Sequence, residues 1–224
     1  MIAVLLPVLN RPQRVQPVLD SLRLSGYPVR PFFICSFGDT AEIQAVEAAR
    51  AEYLLVPWPA AEGDYAKKIN YGLGYTEEPW IFTGADDLYF HPEWAVEAMA
   101  VATQTGKRVI GTVDLGNPEV RRGSTATHFL VARSYAEELG GTMDDTGRVF
   151  SEAYDHNFVD RELASVAIFR DEWAFAPNSV VEHLHYHWGK GDGEDDTYRK
   201  AMRLFGHDGW LYTQRMQQAG VPIQ

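Results

Sequence analysis

Residues 80–87 read Trp80-Ile81-Phe82-Thr83-Gly84-Ala85-Asp86-Asp87. Four apolar or β-prone residues make a short buried strand, and the chain then passes a small residue into two adjacent acids. Upstream the same rhythm repeats. Ile2 to Pro7 is a strand, Val15 to Leu24 a helix with Gly26 as its stop, and Phe32 to Cys35 a second strand. Thr40 to Ala51 is a helix capped by Asp39 or Thr40, carrying Ile43 and Val46 inward. Tyr53 to Val56 is strand three, Asp64 to Tyr75 a helix with an acid at its positive end, and Trp80 to Thr83 strand four. A helix from Pro92 to Thr105, stopped by Gly106, leads to a strand at Arg108 to Val113.

Such alternation predicts an α/β fold with a mainly parallel sheet and helices on both faces. In open sheets of this kind ligands bind at the carboxyl ends of strands, which is where Asp86 and Asp87 emerge. Two adjacent acids repel unless a cation or a hydrogen-bond network offsets the charge. As hard oxygen donors they suit Mg²⁺ or Mn²⁺ beside phosphate oxygens. The structural alternative is that they cap the helix near Pro92.

The 224 residues suit one domain, with 1–113 as one half and 114–224 as the other. A formal charge of −11 disfavours a nucleic-acid groove binder. No apolar run approaches the ~20 residues of a bilayer span, and the N-terminal residues lack a signal-peptide pattern. Cys35 is the single cysteine, so an internal disulfide is excluded and a cytoplasmic setting is expected. Its apolar neighbours make it a buried thiol.

Beyond Asp114 the alternation loosens. Residues 114–127 and 140–152 read as loops, the first expected to be mobile; helices are expected at Ser134–Leu139, Asp155–Phe169 and Asp195–Phe205. Asp192 to Asp196 reads as a solvated turn and helix cap. If Val180 to Trp188 is extended, His183, His185 and His187 share one face, and two neighbours can share a metal. Glu182 keeps open a purely structural pairing, and a zinc site on His183 and His185 is a competing chemistry. Gly-x-Ser-x-Gly, Gly-x-Gly-x-x-Gly and P-loop patterns are absent. Trp173, Phe175, Trp188, Trp210 and Tyr212 read as C-terminal core.

Several of these motifs together resemble the GT-A-fold glycosyltransferases, most closely family 2. The turn Pro7-Val8-Leu9-Asn10-Arg11 is similar to the family's nucleobase turn. Lys68-Ile69-Asn70-Tyr71-Gly72 is similar to the helix segment before its metal strand. Residues 84–87 match the family's DxD motif with Gly84 in place of the first aspartate and Asp86 as the second. The resemblance implies a nucleotide-sugar site formed by Pro7, Leu9, Asn10, Arg11, Asp39, Lys68, Ala85 and Asp86. It implies Mn²⁺ or Mg²⁺ held by Asp86 and Asp87, with His183 as third ligand, His185 behind it, and His187 on the substrate side. Phe158-Val159-Asp160-Arg161-Glu162-Leu163 is similar to the family's Glu-Asp-x-Asp-Leu signature. That match implies Asp160 as the base and Glu162 as the second acid, with Tyr154-Asp155 as an alternative register. Thr127 to Arg133 resembles the acceptor-side strand, and Arg121 and Arg122 are candidates to close over the diphosphate.

The function so implied is metal-dependent transfer of a sugar from a UDP-sugar to a glycan, protein or small-molecule acceptor. Inversion is the family default, and retention stays open. A catalytically silent nucleotide- or glycan-binding module and a sugar nucleotidyltransferase are the alternatives.

Overall fold

Every residue of the first strand, β1 (Ile2–Pro7), is buried. Successive side chains of a strand face opposite ways, so Ile2, Val4 and Leu6 enter one apolar core and Ala3 and Leu5 another. A strand buried on both faces needs helices on both. The computed structural model of the chain supplies them; it describes residues 1–60, 63–144, 146–191, 193–194 and 196–223, without the side chains of 196, 197, 200 and 201. Helices α1 (Val15–Leu22), α2 (Thr40–Ala48) and α4 (Trp94–Thr105) cover the Ile2 side. Helices α3 (Tyr65–Tyr75), α5 (Arg133–Glu138), α6 (Val159–Phe169) and α7 (Asp196–Ala219) cover the other.

Among the described residues, eight strands form one sheet. They are β1, β2 (Val29–Phe37), β3 (Glu52–Pro59), β4 (Trp80–Thr83), β5 (Leu88–Phe90), β6 (Val109–Val113), β7 (Phe129–Ala132) and β8 (Trp173–His183), in the order β3-β2-β1-β4-β7-β6-β8-β5. Pairs β2–β3, β1–β2, β1–β4 and β6–β8 are parallel, whereas β4–β7, β6–β7 and β5–β8 are antiparallel. The sheet is therefore mixed and mostly parallel, as the alternation of the first half predicts.

Several boundaries differ from the sequence reading. Helix α4 starts after Glu93, which takes φ 64° and donates its N–H to the Leu24 carbonyl at 2.7 Å. Helix α6 starts at Val159 rather than Asp155, because Phe158 adopts φ 65°. The strand expected at Val180–Trp188 runs instead from Trp173 to His183. A 3₁₀ turn at Tyr186–Trp188 follows, in which the His185 ring accepts from the His187 N–H at 3.1 Å. The helix expected to end at Phe205 continues to Ala219. A Cβ at Gly209 would stand 3.1 Å from the Phe158 ring, so that glycine serves packing. Tyr212 and Met216, one turn apart on α7, are buried, and each such side chain contributes about 1.5–3 kcal/mol. Of the turn and helix cap expected at 192–196, Asp192 and Asp195 lie outside the described residues, and α7 starts at Asp196. Strand β5 carries no three-residue signal that sequence patterning registers.

Candidate active site

Gly84 is where strand β4 leaves the sheet. Its N–H donates to the Leu5 carbonyl at 2.8 Å, and a Cβ there would lie 2.7 Å from that oxygen and 2.8 Å from Leu6 Cδ2. The backbone packs too closely for a side chain, so the first carboxylate of a DxD motif has no room at this position. Asp86 and Asp87 follow, 6% and 5% exposed. Strand β5 then pairs antiparallel with β8, with Leu88 opposite His183. The Leu184 N–H donates to the Asp87 carbonyl at 2.8 Å. This pairing joins the early acids to the late histidines, and His183 Nε2 stands 3.2 Å from Asp87 Oδ2.

Cations gather on the same acids. Arg11 Nη1 donates to Asp86 Oδ1 at 3.0 Å and to Asp87 Oδ2 at 3.4 Å, and Arg14 Nη1 is 3.4 Å from Asp87 Oδ2. The Tyr198 hydroxyl on α7 donates to Asp87 Oδ2 at 2.7 Å, and the Arg11 guanidinium lies 4.6 Å from the centre of the Tyr198 ring. Burial opposes ionisation of Asp87, yet the adjacent His183, Arg11 and Tyr198 hold it well below the usual carboxylate range. Burial and the charge of Asp87 raise Asp86. Burial lowers His183, but the neighbouring Asp87 outweighs it and the ring's pKa rises.

These residues form one end of a cleft of 380 Å³. Of the expected nucleotide-site residues, Pro7, Leu9, Arg11, Lys68, Ala85 and Asp86 line it, as do Asp87, His183 and His185. Asn10 and Asp39 do not. Asp39 is spent on structure: its carboxylate accepts from the Asn10 N–H at 2.8 Å and caps α2 through the Glu42 N–H at 3.3 Å. Lys68, 1% exposed, donates to the Val8 carbonyl at 2.7 Å and pairs with Asp64 at 3.4 Å, so it braces the turn that carries Arg11. Asn70 pins the 149–152 segment, accepting from the Val149 and Phe150 N–H groups and donating to the Phe150 carbonyl and Glu152.

Asp160 lines the same cleft, and burial raises its pKa. Asp155 is exposed and outside the cleft lining. Glu162 is fully buried in a different role: it accepts from the Tyr154 hydroxyl at 2.6 Å and from Arg215 through two contacts of 2.8 Å. Arg121 and Arg122 are exposed and do not line the cleft. The 114–127 segment instead contributes Asn117, Glu119, Val120 and Thr125 to 127, and Asp114 accepts from the His183 N–H at 3.2 Å. Glu182 pairs with His91 and Lys190, which keeps it from the acids, and His187 is exposed. His185 packs on the Tyr198 ring, 4.2 Å between centroids, and burial with the charge of His183 lowers its pKa to about 4.

Sequence reasoning missed Arg14 and Tyr198, and named His128 only within the acceptor-side stretch from Thr127 to Arg133. Arg14 and Tyr198 become readable only once β5–β8 pairing and the length of α7 are known.

Among the described residues, one group of three donors lies within 4.8 Å, namely Asp155, His207 and Asp208. Both oxygens of Asp208 are engaged there by the backbone N–H groups of Asp155, His156 and Asn157 at 2.7–3.2 Å, so Asp208 anchors the approach to α6. At the acid pair two donors stand together, Asp87 and His183, each engaged with the other. Neighbouring ligands of one octahedral ion lie roughly 3 Å apart, and Mg²⁺-type sites take one or two protein ligands with substrate phosphates completing the shell. The 3.2 Å separation of carboxylate oxygen and imidazole nitrogen fits that donor set.

No family model matches the chain, and no curated protein matches it. Solved structures do. S. aureus TarS 1-349 aligns with TM-score 0.61 at 15% identity, over 81% of this chain and 60% of its own. A mannosyltransferase from Pyrobaculum calidifontis, in complex with GDP-Man and Mn²⁺, aligns with TM-score 0.63 at 16% identity, over 81% of this chain and 56% of its own. Glucosyl-3-phosphoglycerate synthase from Mycobacterium tuberculosis, in complex with Mn²⁺, UDP-glucose and phosphoglyceric acid, aligns with TM-score 0.66 at 15% identity, over 99% of this chain and 80% of its own. The chain thus spans less than two thirds of the length of the first two. What these proteins share with it is the arrangement of sheet and helices just described: the chain has the GT-A glycosyltransferase fold.

Proposed function

We propose that the chain transfers a sugar from a nucleoside-diphosphate donor, a UDP-sugar being the expected one, to the hydroxyl of a glycan, protein or small-molecule acceptor. The observation that carries this reading is one cleft lined both by the Asp86–Asp87–His183 edge and by Asp160. Pro7, Leu9 and Ala85 border the nucleotide. Asp87 and His183 would hold Mn²⁺ or Mg²⁺, with Asp86 beside them; that cation supplies positive charge to the diphosphate. Arg11 and Arg14, already within 4.0 Å of the acids, add further positive charge at the same end. Asp160 accepts the proton of the acceptor hydroxyl as its oxygen bonds to the anomeric carbon and the bond to the diphosphate oxygen breaks. Neighbours crystallised with GDP-Man and Mn²⁺ or UDP-glucose and Mn²⁺ support the donor class. No described helix is long and apolar enough to cross a membrane.

Incubation with a panel of UDP- and GDP-sugars plus Mn²⁺, scored for sugar transfer and for hydrolysis, tests the proposal. Release of the nucleoside diphosphate that stops in Asp160→Asn supports it. Nucleotide binding without turnover, unchanged by that substitution, makes the chain a binding module instead.

A further inference from the structure

Buried polar side-chain atoms without partners are rare in folded proteins, and each calls for an explanation. Two of those found among the described residues, His128 Nε2 and Thr125 Oγ1, belong to residues lining the cleft. His128 is 5% exposed and immediately precedes β7. Its Nδ1 lies 2.6 Å from the Thr83 carbonyl oxygen. A carbonyl only accepts, so Nδ1 carries the proton and Nε2 presents a lone pair.

A metal ion or a hydroxyl can satisfy such a lone pair. The other unpartnered atom, Thr125 Oγ1, is a hydroxyl rather than a carboxylate or imidazole, which favours a hydroxyl ligand. The His128 ring is 5.5 Å from that of His183, and His183 faces Asp87. A group next to the diphosphate therefore comes within reach of His128. Thr125 Oγ1 can both donate and accept. An acceptor nitrogen and a hydroxyl in one cleft suit a ring that carries several hydroxyls. We infer that His128 Nε2 and Thr125 Oγ1 form the subsite that binds hydroxyls of the transferred sugar and so select which sugar is accepted. This rests on the sugar-transfer reading above.

Calorimetry with Mn²⁺ tests the subsite, using UDP, UDP-glucose, GDP and GDP-mannose as probes. His128→Ala and Thr125→Val are expected each to weaken the bound sugar nucleotide roughly tenfold, while its nucleoside diphosphate shifts by less than roughly twofold. His128→Gln, which keeps an acceptor near the position of Nε2, is expected to recover part of the loss. Thermal melting establishes that each variant folds, and Thr125→Val stands as an independent probe should His128→Ala fail to fold. Equal losses for nucleotide and sugar nucleotide overturn the inference. So does weaker binding of Mn²⁺ alone, or no change in any titration. Wild-type binding of nucleotide with unaltered sugar discrimination in the variants sinks this inference alone. Failure of the wild type to bind any of the four probes sinks the transfer reading with it.

Discussion

At residue scale the site is a balance of buried charge. Asp160 is raised above the ordinary carboxylate pKa by burial, and only its ionised form accepts a proton. Transfer activity is therefore expected to fall on acidification through that raised value, so the acid limb of the kcat/KM profile lies above the ordinary carboxylate range. Asp160→Asn is expected to lower kcat by roughly 10²–10⁴-fold with little change in donor KM. For stability the sign runs the other way. A carboxyl raised on folding favours its protonated state, so its unfavourable contribution is present above the folded pKa and vanishes below the unfolded one. Asp160→Asn is accordingly expected to melt no lower than the wild type at neutral pH. Gly84 yields a second residue-level expectation. Gly84→Asp restores the letter of a DxD motif, but its Cβ meets Leu5 O at 2.7 Å and Leu6 Cδ2 at 2.8 Å. Overpacking of this kind costs about 1–3 kcal/mol. Urea unfolding is expected to show that loss, with no gain in Mn²⁺ affinity by calorimetry.

At element scale α7 and the β5–β8 pair do what the parallel half of the sheet does not. Asp208 on α7 accepts from three consecutive backbone N–H groups just before α6. Asp208→Ala strands those donors, each worth about 1–3 kcal/mol when left unsatisfied. The variant is expected to lose roughly 3 kcal/mol and to speed hydrogen exchange at residues 155–157. These elements also mark where the sequence stops being legible. Ile2–Pro7 and Trp80–Thr83 match the structure residue for residue, because full burial makes a central parallel strand a continuous apolar run. The Asp86–Asp87 edge follows from that pattern and the DxD likeness, whereas His183 rests on the family resemblance of the late histidine segment alone. His183 and His185 were expected on one strand face, whereas β8 ends at His183 and His185 reaches the cleft from an extended link before a 3₁₀ turn. Histidines one residue apart carry no signal for that break, since His185 caps the turn with its own ring. Arg14 and Tyr198 are 184 positions apart, and their meeting at Asp87 depends on tertiary contacts that local periodicity does not encode.

For the whole molecule, the charge of −11 is not shared evenly with the cleft, where Arg11 and Arg14 stand against Asp86 and Asp87. On the transfer reading, a leaving diphosphate would meet two guanidiniums already offset by the acids beside them. Raising ionic strength is expected to strengthen capture of the anionic donor while leaving stability near neutral pH little changed, because long-range repulsion from exposed acids is screened and buried pairs are much less so. UDP titrations at low and high salt, set beside melting curves, check this. Chelation with EDTA is expected to reduce turnover and to restore it on adding Mn²⁺. Helix α7 reaches both working ends: Tyr198 touches Asp87, and Asp208 secures the backbone leading to Asp160. On the transfer reading, one helix would therefore span departure and attack. A substitution that tilts it would disturb leaving-group support and proton acceptance together, so defects at Tyr198 and Asp208 are expected to combine non-additively in the double variant.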